Sequence, residues 1–68
     1  MYNTALAEFH SQRDKAIATA RIYLEHPVGI GEHPQVIDEF IKQIKIAAES
    51  EEAASMLVDT FRDEIIED

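Results

Sequence analysis

Apolar residues recur in steps of three and four along most of this chain. In the first stretch they fall at Leu6, Phe9, Ala16, Ile17, Ala20, Tyr23 and Leu24, with Arg13 interrupting the stripe. That is the period of an α-helix rather than the alternation of a strand. No Gly or Pro occurs from Thr4 to Glu25, and Ala, Leu, Glu, Gln, Arg and Lys are frequent. The pattern predicts a helix over about 4–25, with Asn3 or Thr4 as its cap. Pro27 ends it, because proline disfavours helical geometry at His26 and has no N–H to donate.

The run His26-Pro-Val-Gly-Ile-Gly-Glu-His33 reads as a loop. Pro34 suits the first turn of a second helix. Val28 and Ile30 are expected to fold back over the open end of the helix pair. From Pro34 the apolar period resumes at Val36, Ile37, Phe40, Ile41, Ile44, Ala47, Ala48, Ala54, Leu57, Val58, Phe61 and Ile65. This predicts a long helix over about 34–66. One point is ambiguous. Ser50-Glu51-Glu52 could start a third helix, since a serine hydroxyl caps free N–H groups and acids favour the positive dipole end. A reversal normally needs Gly, Asn or Pro, and none is there. The reading favours one continuous helix, with a three-helix bundle broken near Ser50 as the alternative.

The fold class is therefore all-α, a single small domain over 1–68 built as an antiparallel helical hairpin. If Glu25 lies near Pro34, then Thr4 lies near Ser55, and residues beyond about 56 outrun the first helix. Leu57, Val58, Phe61, Ile65 and Ile66 would stand uncovered, at about 1.5–3 kcal/mol each. A second copy or another protein would have to cover them. A homodimer forming a four-helix bundle is the simplest arrangement, with Ile37/Ile44 and Phe40/Ile41/Ala48 offering wide apolar faces.

Charge sharpens this picture. The chain of 68 residues carries a formal −8, but residues 1–48 hold six acids and five bases. The remaining 20 residues hold eight acids and one base, Arg62, so they carry almost all of the excess. Such a balance argues against direct nucleic-acid binding, which needs a basic face, and against an anionic membrane surface. No apolar run approaches the ~20 residues of a bilayer span, and Met1-Tyr2-Asn3-Thr4 does not read as a signal segment, so a cytoplasmic protein is expected. Cysteine is absent, which removes thiolate metal sites and disulfides.

Candidate chemistry is sparse. Glu25-His26-Pro27 and Glu32-His33-Pro34 form a short repeat whose His and Glu residues could ligate a divalent ion. The plainer reading is that the prolines mark helix ends and the polar residues solvate the turn. Glu49-x-x-Glu52 and Glu64-x-x-Glu67 resemble carboxylate pairs of helical Mg²⁺ sites, yet both pairs belong to one predicted helix and cannot converge. Gly29-Ile30-Gly31 lacks the rest of any phosphate-binding motif. No Ser, His and acid stand at a meaningful spacing, and a bundle of this size offers no pocket for most substrates. The chain reads as non-enzymatic, with no cofactor and no small-molecule substrate.

The run Pro27-Val-Gly-Ile-Gly-Glu-His-Pro34, preceded by Ala20-Arg-Ile-Tyr-Leu24 and followed by an amphipathic helix, resembles small uncharacterised helical-hairpin proteins of tailed phages, especially those of marine cyanobacteria. The resemblance covers about residues 16–61. It implies a phage origin, hence host cytoplasm, and a helical hairpin; it implies no activity.

These observations favour an acidic protein–protein interaction module, a phage accessory or host-takeover protein. Its expected contact residues are Leu57, Val58, Phe61 and Ile65, with Asp59, Asp63 and Glu64 facing a basic partner. The alternatives are a DNA-mimicking inhibitor, whose carboxylates would stand in for phosphates, and a metal-binding protein using His26 and His33.

Overall fold

A computed structural model describes residues 1–26 and 34–64. Two α-helices, α1 (Tyr2–Glu25) and α2 (Pro34–Phe61), lie antiparallel, and a 3₁₀ turn over Arg62–Glu64 follows α2. The hairpin is a thin rod, 52 × 14 × 13 Å. The expected Val28 and Ile30 contacts, His33, Ile65 and Ile66 lie outside the described residues.

Helix α1 starts earlier than the capping residues predict. Met1 is its N-cap, without a side-chain cap hydrogen bond, and the Ala5 N–H donates to the Met1 carbonyl at 2.9 Å. Asn3 and Thr4 are instead exposed positions inside the helix. Tyr2 explains the extension: it is half-buried, so packing rather than a cap holds the first turn. At the other end the His26 N–H donates to the Ile22 carbonyl at 3.0 Å, and His26 leaves helical geometry with φ −128°.

Helix α2 runs through Ser50 without a break, so the three-helix alternative does not apply. Ser50 is buried and faces α1, which shows why a serine stands there. It is a small residue at a close helix contact, not a cap. The α-helix itself ends at Phe61, short of the expected 66.

One seam joins the helices. Tyr2, Leu6, Phe9, Arg13, Ala16, Ala20 and Tyr23 of α1 repeat in alternating steps of four and three. Val36, Phe40, Gln43, Ala47, Ser50, Ala54, Leu57 and Phe61 do the same on α2. All are buried or half-buried except Phe61, which matches the heptad logic of packed helices. Among the described residues the best-covered are small: Ala16, Ala20, Ala54 and Ser50 are at most 6% exposed, and no large side chain is fully buried. Small residues let the axes approach closely, but they bury little apolar area.

The register differs from the expectation by about one helical turn. Leu6 and His10 share a groove with Ala54, Val58 and Asp59, and Tyr23 and Leu24 share one with Val36, Ile37 and Phe40. Arg13 reaches Glu51. This sets Phe9 level with Ala54, Ala16 with Ala47 and Tyr2 with Phe61. Helix α1 therefore covers α2 almost to its end. The expected overhang beyond residue 56 is corrected: Leu57 and Val58 are half-buried against α1 rather than left in water.

Candidate interaction surfaces

Two surfaces stand out on the hairpin, one at each end. The first surrounds the end of α2, where the sequence places partner contacts. Phe61 is 45% exposed there, and Asp59, Asp63 and Glu64 are exposed around it. Leu57 and Val58 belong to the hairpin's own packing, so the structure separates them from the free apolar surface. Ile65 lies outside the described residues. What remains is a single aromatic anchor in an acidic setting, with Met56 also exposed on a neighbouring face.

The second surface lies at the loop end, on one side of the seam. Ile17 and Leu24 flank the seam on α1; Ile37 and Ile44 flank it on α2, with Ile41 just outside them. In an antiparallel pair, positions one past the fourth residue of the heptad on each helix share one side of the hairpin. The groove formed by Tyr23, Leu24, Val36, Ile37 and Phe40, about 230 Å³, opens on that side. Exposure runs from 38% at Ile17 to 63% at Leu24. Ile37 and Ile44 were legible in the sequence as an apolar face. Ile17 and Leu24 were read as part of the seam stripe; they stand one residue past seam positions Ala16 and Tyr23, and that offset is the signal separating them from the seam.

The same side turns polar toward the chain ends. His10, Glu51, Val58 and Asp59 line the groove there. Arg13 crosses between the helices: its Nη1 donates to Glu51 Oε1 at 2.7 Å, and its Nε donates to Asp14 Oδ1 at 2.9 Å. These hydrogen bonds, Glu51's first and Asp14's second, hold the guanidinium pKa above its ordinary value. Arg13 thus stays charged at any working pH, and its interruption of the apolar stripe has a structural purpose: it is the one cation bridging the two helices among the described residues.

Among the described residues no three His, Asp or Glu side chains come together to hold a metal ion. His26 is exposed at the end of α1, while Glu32, His33 and Glu67 lie outside the described residues. No helix among the described residues is long and apolar enough to cross a membrane.

No protein-family model matches this chain, and no curated protein or solved structure matches it. The Pro27–Pro34 run that resembles small phage proteins falls almost wholly outside the described residues.

Proposed function

We propose that this protein is a small, acidic, non-enzymatic interaction module that docks the end of α2 onto a basic protein surface. The observation that carries this reading is the exposed Phe61 among Asp59, Asp63 and Glu64, in the segment that holds nearly all of the net negative charge. An aromatic ring in an acidic rim combines a desolvated anchor with electrostatic steering toward cationic partners. Leu57 and Val58 support the site from below by fixing α2 against α1.

The test is affinity capture with the immobilised protein, compared with Phe61→Asp. The wild-type chain should retain basic proteins that release as salt rises, because exposed charge pairs are screened within about 8–10 Å at physiological ionic strength. Phe61→Asp should lose them with its helical circular dichroism intact. Capture unchanged by this substitution would refute the site. Displacement of the partner by duplex DNA would point instead to DNA mimicry.

A further inference from the structure

The groove toward the chain ends joins an apolar floor to a charged edge. It measures about 200 Å³. That is below the roughly 300–1,000 Å³ of small-molecule pockets and suits a single side chain. Leu6, Ala54 and Val58 supply the apolar part, and Glu51 and Asp59 supply carboxylates. The two acids are eight residues apart on α2, about 12 Å of helix rise. They are too far apart to share one small ion, and among the described residues no three His, Asp or Glu side chains converge on a metal. Spread carboxylates over an apolar floor instead match a long side chain with a cationic head, whose stem packs while the head stays at the polar edge.

The hairpin already holds one such side chain beside this groove. Arg13 lies half-buried over the seam and places Nη1 2.7 Å from Glu51 Oε1. Asp59 has no equivalent: among the described residues it makes no ion pair. His10 belongs to the α1 wall of the groove and is half-buried. Among the described residues its ring makes no hydrogen bond. A guanidinium stacks on flat aromatic faces and sheds water more easily than an ammonium, so a ring beside a carboxylate favours arginine over lysine.

We infer that this groove receives an arginine side chain of the basic partner, its stem on Leu6, Ala54 and Val58 and its guanidinium at Asp59 and the His10 ring. The inference rests on the docking reading at Phe61 for the source of the arginine, and it adds the feature of the partner that this end of the hairpin selects.

A two-dimensional NMR titration of the isotope-labelled full chain tests it, with N-acetyl-arginine amide as the probe. N-acetyl-citrulline amide is the control, since it keeps the shape and lacks the charge. Arginine should give saturable shifts centred on His10, Ser55 and Val58, and citrulline should not. Asp59→Asn should weaken the arginine response about fivefold, the loss of an exposed ion pair at the top of its range. Ser55 is exposed at the groove, so Ser55→Arg puts the chain's own cation there without disturbing the seam. That variant should abolish the response with its helical circular dichroism intact. Shifts spread evenly over the acidic residues, an equal response to citrulline, or a response that survives Ser55→Arg would each overturn the inference. Partner capture separates the two readings. Capture lost in Phe61→Asp but unchanged in Ser55→Arg would refute the groove and leave the anchor. An arginine response in a chain whose capture ignores Phe61→Asp would refute the anchor and leave the groove.

Discussion

Ala16 and Ala20 are buried in the helix contact with a methyl group each, 3% and 4% exposed. Close-packed interiors respond to added volume as strongly as to lost volume. Ala16 lies level with Ala47, where both helices present a methyl group to the seam. Ala16→Leu should therefore lower stability by about 1–3 kcal/mol, the usual penalty of overpacking. Urea unfolding followed by circular dichroism measures it, and an unchanged midpoint would show that the helices are not in close contact at this level. Arg13 illustrates the other half of the residue scale. A cation in an apolar stripe is unexplained by period alone. Its meaning appears once Glu51 is opposite, because an ion pair between helices favours one register over its neighbours.

At the scale of elements, the two helices were legible because neither interior contains Gly or Pro and both keep the helical period. The register was not. A stripe spaced by threes and fours still matches its partner after a slip of one turn, so the pattern alone cannot choose. The choice comes from side chains: the slipped register would set Arg13 level with Ile46, whereas the observed one gives it Glu51. The end-of-α2 contact site was read from the sequence on that slipped register, which is why Leu57 and Val58 looked uncovered. Ser50 was ambiguous for a different reason, since a buried small residue and an N-cap can both be serine. Ser50→Ala separates the roles. Within a continuous helix alanine should be neutral or stabilising, because it has the better helical propensity. At a helix start the same change would cost about 1 kcal/mol. A thermal midpoint that falls with Ser50→Ala would argue for a break that the structure does not show.

For the molecule as a whole, the balance between core and surface is the main physical fact. Among the described residues three alanines and a serine form the best-buried set, and so small a core offsets little of the entropy of ordering the backbone. Stability should consequently depend on assembly. Raising the protein concentration a hundredfold should raise the midpoint of thermal unfolding, as mass action requires when the folded state is held together by a second copy. Calorimetry at widely separated concentrations checks this; a midpoint independent of concentration would mean that the lone hairpin is stable by itself.

The unbroken course of α2 through Ser50 has a further consequence. It makes the hairpin a stiff strut rather than a jointed one. From Ile41, at the middle of the apolar face, to Phe61, at the acidic end, is about 30 Å of continuous helix at 1.5 Å per residue. A partner seated at Phe61 would therefore be held at a set distance from the Ile41 side, because α2 has no joint among the described residues at which to bend.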